Sequence, residues 1–454
     1  MYSIVILGAG RSAGYLIDYF VTLCGSQNWS LKIVDFNVSH LAKYEGASAS
    51  IEIISASLDV VEKRRAIIQG ADWVISLLPA FMHADIAKDC LLETCNLATA
   101  SYVSEEMRQL GHEAAKKGLV FLNECGLDPG IDHMSAMKII DELRGKGANI
   151  TGFESYCGGL IAEDSLGDNP WKYKFSWNPR NVILAGNGAS TGLINGKLKV
   201  VPYHRNFQFP TLVEMPDGKK FDAYINRDSL SYQSVYDLED VSTMIRGTLR
   251  YPGYCRAWNI MVHLGLTDHT YDFPLQKGMT YKEFFQSFLS GNDHNDPKAS
   301  IRKSIGFPDY EAEAIEKVLW TGLNDEDMIP LEKGSPASIL QALLEKKWKL
   351  EKEDKDLVVM QHRITFSFND ESQTYLSSLV LEGENSTQTA MSKTVGLPLA
   401  MTVKQFLINN LPHRGIVLPI HADIYTPVLS ELETHDIRFR EQIVSETVTE
   451  GKPE

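Results

Sequence analysis

The chain contains no uninterrupted apolar run of the roughly 18 residues that a membrane-spanning helix needs. That excludes a helical membrane span. Cysteine is scarce: six residues, at 24, 90, 95, 125, 157 and 255, with no C-x-x-C spacing of the kind that builds a zinc site. No metal is expected, and the thiols read first as small buried apolar groups in a reducing compartment. Positive charge is also short. Lys and Arg number 44 against 59 Asp and Glu, for a net charge of −15. Such a surface disfavours nucleic acid and anionic membranes as partners. It also repels anionic metabolites, so a site for one must be locally basic. The N-terminal MYSIVILGAGRSAG lacks a basic leader and places a Gly-rich turn directly after the first apolar run. A mature domain beginning at residue 1, in a cytoplasmic enzyme, is the expectation.

What is present is an ordinary globular composition, 44 % hydrophobic and 23 % charged, over 454 residues, enough for two or three domains. Short apolar or β-leaning runs occur at 3–7, 31–35, 51–54, 73–78, 96–99 and 119–122, with helix-like stretches at 13–24, 57–70, 82–93 and 104–117. This alternation predicts a parallel sheet covered on both faces, over about 1–130. Beyond residue 150, ITGFESYC, KLKVV, TMIRGTLRYPGY and RITFSF read as longer, partly alternating strands of a mixed sheet. Residues 280–350 carry helical periodicity, and the charged stretch 345–356 reads as a solvated helix end. A long helix is expected over 389–412, disturbed near Gly396 and Pro398, and the last dozen residues are expected to fray.

Gly8, Gly10 and Ala13 in GAGRSA fit G-x-G-x-x-A between a strand and a helix. The first Gly allows the tight turn, the second lets a pyrophosphate approach the backbone, and Ala13 lets helix and strand pack closely. Arg11 and Ser12 lie inside this loop. Asp35 ends the second strand, 22 residues after Ala13. An acid there can hold the adenine ribose diol and repel a 2′-phosphate, so NAD is favoured over NADP. The sixth strand is followed by NECGLDPGIDH (123–133), a loop dense in turn-formers and ionisable groups. Pro129 keeps Asp128 out of helical geometry. Asp132 is a candidate N-cap for a helix starting near His133, which reads as structural.

Several longer stretches then bear on the family: LLP (77–79), ASYVS (100–104), NECGLDPGIDH, SYCGGL (155–160), DNPWKYKFSW (168–177), INRDS (225–229) and RGTLRYPGY (246–254). Together the chain resembles the glutamate-forming saccharopine dehydrogenases, also called saccharopine reductases, over nearly its whole length. The resemblance implies an α/β protein with a Rossmann-like parallel-sheet domain (1–130, rejoined by about 395–445). A substrate-binding and dimerisation α+β domain (131–394) with a mixed sheet would follow, including a mostly helical subdomain at about 275–350. It implies reversible oxidation of the secondary amine of saccharopine to give L-glutamate and 2-aminoadipate 6-semialdehyde, with NAD or NADP, in a homodimer.

The same resemblance assigns site residues. Substrate contacts would be Ser101, Tyr102, Asp128, Arg227, Thr248, Leu249 and Arg250, the two arginines being suited to carboxylates. Leu78, Ser101, Leu127, Asp128, Pro129 and Ser176 would join the Gly loop on the cofactor. Asp128, Tyr102 and Cys157 are the ionisable candidates for proton transfer, with no clear general base among them. Two departures stand out. VDFNVSH after the second strand carries Asp35 and no Arg from 33 through 40, and Ile161 replaces the first Pro of the family's loop after SYCGGL. Related readings are a reductase of another imine, such as carboxynorspermidine, and a non-catalytic dinucleotide-binding sensor. The matched INRDS and GTLRYPGY stretches favour saccharopine over another imine, and the presence of both arginines speaks against the sensor.

Overall fold

The computed structural model describes residues 2–46, 48, 50–291, 296–306, 312–369 and 371–445. The chain divides into two compact units, Met1–Gly147 with Thr387–Arg438, and Ala148–Ser386 with the chain from Phe439 on. The first unit therefore runs past the expected break at 130 to include the helix Ile131–Gly145.

In the first unit, β1 (Ser3–Leu7), β2 (Ser30–Asp35), β3 (Ile51–Ser55), β4 (Trp73–Ser76), β5 (Asn96–Thr99) and β6 (Val120–Leu122) form a parallel sheet. A seventh strand, Gly415–Val417, pairs parallel with β6, and the order from that edge is β6-β5-β4-β1-β2-β3. β1 and β4 are buried on both faces, as the continuous apolar runs IVIL and WVI require. Val5, Leu7, Val74, Leu97 and Phe121 pack on Ile86, Ala87, Cys90 and Ala114 from the covering helices. The helix Ala390–Asn409 passes through Gly396 and Pro398 without a break. Gly396 has a packing role: a Cβ there would lie 2.9 Å from the backbone nitrogen of Leu16 in the first helix.

The second unit is built on a mixed sheet. Its strands are β7 (Asn149–Ile161), β8 (Ser190–Ile194), β9 (Lys197–Val201), β10 (Thr211–Glu214), β11 (Lys220–Ile225), β12 (Thr243–Arg250), β13 (Asp356–Phe368) and β14 (Glu371–Glu382). The main order is β10-β11-β12-β7-β13-β14, with Arg440–Ser445 on the far edge and the β8–β9 hairpin on β12. Only the β12–β7 pair of that path is parallel. Of the last dozen residues, 443–445 thus pair with β14 rather than fray, and 446–454 lie outside the described residues. Residues 440–445 also leave the first unit, to which the family resemblance assigned them.

The strand expected through RYPGY stops at Arg250. Pro252 has no N–H for a ladder, and Gly253 takes φ +86° and opens the helix Tyr254–His263. Helices at Tyr281–Gln286, Pro297–Ile305, Ala312–Trp320 and Pro336–Lys347 enclose an aromatic core around Trp171, Trp258 and Trp348. The last helix ends at Lys347 because fully buried Trp348 turns into that core and Asp356, also fully buried, begins β13. So 345–356 is not one solvated helix end.

Candidate active site

The first unit carries the glycine loop at the carboxyl end of β1. Gly8 has φ +94°, and a Cβ on it would lie 3.2 Å from the Leu77 carbonyl carbon and 3.3 Å from Leu78 Cδ2. Both the turn and the neighbouring strand end therefore demand glycine, and Leu78 is brought beside the loop. Gly10 differs: nothing lies within 4 Å of the Cβ it lacks. The fold does not need that glycine, but a phosphate approaching the backbone does. Ala13 is buried and its N–H donates to the Gly10 carbonyl (3.0 Å). The first helix, Gly14–Gln27, starts with no side-chain cap and no acid in its first turn, leaving the positive end of its dipole uncompensated. This cradle fits a dinucleotide pyrophosphate. Arg11 is exposed and Ser12 half-buried at its rim.

Asp35 stands at the end of β2 as expected, yet it is already engaged. Its Oδ2 accepts from Ala9 N–H (2.7 Å) and its Oδ1 from Asn37 N–H (2.9 Å). On the other side of the same residue, the His40 Nε2 lies 2.7 Å from the Ala9 carbonyl oxygen. The acid thus fixes the loop, with unused lone pairs left for a ribose hydroxyl. No periodicity marks His40, and it was not expected.

After β5 and β6, two further segments shape the carboxyl edge, where ligands of parallel sheets sit. The Tyr102 hydroxyl donates to Asp128 Oδ1 (3.1 Å), joining two of the three residues considered for proton transfer. Glu124, at φ +55°, accepts from Val103 N–H through Oε1 (3.0 Å) and meets His133 Nε2 through Oε2 (2.9 Å). His133 is fully buried, so its structural reading takes a concrete form: with Glu124 it braces the Tyr102–Val103 backbone. In the loop itself Gly126 N–H donates to the Pro129 carbonyl (2.8 Å), and a Cβ at Gly130 would meet the Gly126 carbonyl oxygen at 2.0 Å. The Asp128–Pro129 peptide is cis. Leu127 and Pro129 are buried and Asp128 half-buried. Asp132 is not the N-cap. The helix begins at Ile131 behind Gly130, and Asp132 reaches back to accept from Gly130 N–H (2.6 Å), because the tight Gly126–Gly130 turn starts the helix earlier. Ser101 meets a buried histidine, His83, through its hydroxyl (2.9 Å).

The second unit carries the other candidates. Thr248 on β12 sits beside Cys157 on β7 and opposite Tyr224 on β11. Arg250 lies two residues further along the same face. Leu249 faces the other way. It is fully buried in the core of Leu160, Phe221, Ile245 and Val359, so only its backbone remains for a ligand, and its carbonyl accepts from Arg250 Nη1 (2.8 Å). Ser176 is buried, at 2 % exposure. Arg227 is exposed at φ +52° on the turn after β11, with its carbonyl accepting from Thr191 N–H (2.8 Å).

Arg250 has the most unusual surroundings. It is 3 % exposed, with its guanidinium carbon 5.1, 5.8 and 5.3 Å from the ring centres of Tyr173, Tyr224 and Tyr254. Its Nη2 donates weakly to the Tyr224 hydroxyl (3.4 Å), and its Nε has no partner among the described residues. Burial pushes all three phenols up in pKa while the guanidinium pulls them down, so the cage is neutral at ordinary pH. The strand alternation could have flagged one residue that sequence reasoning missed. Arg246 shares the Arg250 face, is buried, and stacks over Tyr232 at 4.1 Å. The tyrosine cage gives no such local signal, apart from Tyr254 four residues on.

Family profiles match almost the whole of this framework. One described as the saccharopine dehydrogenase NADP binding domain covers residues 4–122, and one described as the saccharopine dehydrogenase C-terminal domain covers 126–437. The chain belongs to the saccharopine dehydrogenase family. Among family members, it is 32 % identical over 458 residues to saccharopine dehydrogenase [NADP(+), L-glutamate-forming] of Saccharomyces cerevisiae, covering 98 % of this chain and 99 % of that one. It is 32 % identical over 455 residues to the mitochondrial α-aminoadipic semialdehyde synthase of Mus musculus, covering 97 % of this chain. The chain spans about half, 47 %, of that mouse protein. The solved structure of apo saccharopine dehydrogenase (L-Glu forming) from Saccharomyces cerevisiae superimposes with a TM-score of 0.84 at 29 % identity, over 98 % of this chain and 100 % of that one.

Proposed function

We propose that this chain oxidises saccharopine at its secondary amine, a reading supported by the name of its yeast relative, an L-glutamate-forming saccharopine dehydrogenase. Saccharopine, NAD(P)+ and water would give L-glutamate, 2-aminoadipate 6-semialdehyde, NAD(P)H and a proton. The observation that carries this reading is Arg250: a buried guanidinium held by neutral groups, with Nε unpartnered among the described residues, in a protein of net charge −15. A substrate carboxylate completes it. Asn226 N–H donates to the Arg246 carbonyl midway along β12, which places Arg227 near Arg246. Four strand residues, roughly 13 Å, separate Arg246 from Arg250 at the end of the strand. The two cations therefore suit different carboxylates of one extended polyanion. Thr248 and Cys157 line the face between them.

A bound nicotinamide would supply the hydride acceptor. The chain's own part is to orient the amine carbon and to manage protons. Asp128 would hold the amine proton, and the Tyr102 hydroxyl, which donates to Asp128, would keep that carboxylate in one orientation. The amine must shed its proton before its carbon can give up hydride, and water must then lose protons as it adds to the imine. Both steps need an acceptor close to the reacting nitrogen.

The glycine cradle supports a nicotinamide dinucleotide. Asp35 supports NAD within that class, although the yeast relative is named for NADP(+). A cytoplasmic location is in keeping with six free, buried cysteines, and among the described residues no helix is long and apolar enough to cross a membrane. A homodimer would cover exposed Ile194, Leu198 and Val200 of the β8–β9 hairpin. The test is absorbance at the reduced-nicotinamide band with saccharopine, run separately with NAD and NADP. Saccharopine-dependent reduction is expected, faster with NAD. No reduction with either would overturn the substrate, and a higher kcat/KM with NADP would overturn the role given to Asp35.

A further inference from the structure

His83 belongs to none of the motifs named above, yet it stands at the centre of a hydroxyl cluster. It opens the helix His83–Glu93 and is 4 % exposed. Its Nδ1 lies 3.0 Å from Ser76 Oγ at the end of β4. Its Nε2 lies 3.1 Å from Thr99 Oγ1 at the end of β5 and 2.9 Å from Ser101 Oγ. Ser76 and Thr99 are cross-strand partners, and Ser101 N–H donates to Thr99 Oγ1 (3.2 Å). One ring therefore ties two neighbouring strand ends to the first residue of the segment that carries Tyr102.

We propose that His83 is the positioning residue for Ser101, aiming its hydroxyl at bound substrate or cofactor from the carboxyl edge of the sheet. This rests on the reading that Ser101 touches ligand. Two other roles fit less well. As a general base the ring is poorly suited: burial lowers its pKa to about 4, so about a thousandth would be imidazolium at neutral pH. Both nitrogens are also already engaged by hydroxyls. As mere core filling the ring is a poor choice, since an apolar side chain would leave buried hydroxyls without their partner. A neutral imidazole with one N–H and one lone pair can instead give on one side and accept on the other. Ser101 is thereby left with a defined direction for its remaining hydrogen-bonding capacity.

The test separates the two ring nitrogens. In His83→Asn the amide can replace Nδ1 toward Ser76 but is too short to reach Ser101. In His83→Gln it can reach the position of Nε2. With each variant checked for folding by circular dichroism, Ser101→Ala is expected to lower kcat/KM for saccharopine about tenfold, the upper range of one neutral hydrogen bond. His83→Asn should lose about as much, and the His83→Asn/Ser101→Ala double variant no more than either single. His83→Gln should recover most of the activity. Calorimetric affinities for saccharopine and for oxidised dinucleotide give a second readout, and at least one should weaken in parallel in Ser101→Ala and His83→Asn. Losses that multiply in the double variant would overturn the proposal, as would equal behaviour of His83→Asn and His83→Gln. If Ser101→Ala alone is silent in both readouts, the ligand contact of Ser101 fails, and the positioning role falls with it.

Discussion

Arg64 in the first unit and Arg250 in the second are both almost fully buried, at 5 % and 3 % exposure, and the protein treats them differently. Arg64, on the helix Val61–Ile68, has its Nε 2.5 Å from Asp89 and donates through Nη1 to the Leu58 carbonyl (2.9 Å). Its charge is answered from within the chain. Arg250 meets three neutral tyrosines and a carbonyl, and its Nε has no partner among the described residues. Ring faces offset only part of the desolvation of a guanidinium. A cation kept buried on such terms is what the proposed binding of an anionic ligand would use. The contrast separates an arginine paired within the fold from one whose proposed partner is a substrate carboxylate.

Removing Asp89 should have the largest effect on stability. Asp89→Ala leaves Arg64 buried and uncompensated, and denaturant unfolding should show a loss of about 3–5 kcal/mol. A loss under 1 kcal/mol would dissolve the distinction, because the pair would then be no more structural than an exposed one.

His83 adds a third buried base, one that avoids the problem by staying neutral. Unfolded, its ring takes up a proton near pH 6.5; folded, it resists until about pH 4. Between these values the unfolded chain binds more proton, so stability is full above about 6.5 and falls as the pH drops toward 4. The loss should reach about 3 kcal/mol. It should shrink in His83→Gln, measured by unfolding at pH 7 and at pH 4.5. An unchanged pH dependence would show that this histidine is not a main source of acid sensitivity.

Arg250→Met should leave stability within about 1 kcal/mol or raise it, because no internal carboxylate loses its partner. The same change should lower kcat/KM for saccharopine by about ten- to a hundred-fold, the range of a charge-assisted contact of 1.5–3 kcal/mol. Arg227→Ala should cost less, about tenfold or under, and its effect should fade with added salt because that side chain is exposed. If Arg250→Met is strongly destabilising with kinetics intact, the second arginine is structural after all.

Much of the first unit is legible in the amino-acid sequence. β1 and β5 fall on the predicted residues, and the other early strands differ by a residue or two at their ends. Buried parallel strands write themselves as short apolar runs between amphipathic helices, so the signal is local. The second unit is less legible. β14 and the strand Arg440–Ser445 carry mixed polarity, and each forms because a partner is already in place. Leu249 shows the same limit inside a motif. The stretch GTLR reads as one contact surface, but pleating sends Leu249 into the core on the face opposite Thr248 and Arg250.

By itself, the sequence determined the alternation of the first sheet, the glycine turn after β1 and the acid at the end of β2. Each is set by backbone geometry within a few residues: a positive φ at Gly8, a helix start at Gly14, a strand end at Asp35. Tertiary structure decided which polar groups would be enclosed and what they would face there. Ser76, Thr99 and Ser101 converge on His83 only when β4 and β5 lie side by side. Arg250 becomes a caged cation only when Tyr173 and Tyr224, 77 and 26 residues earlier in the chain, pack around it. Desolvation depends on everything that surrounds a group, and neighbours that distant in sequence are chosen by packing rather than by periodicity.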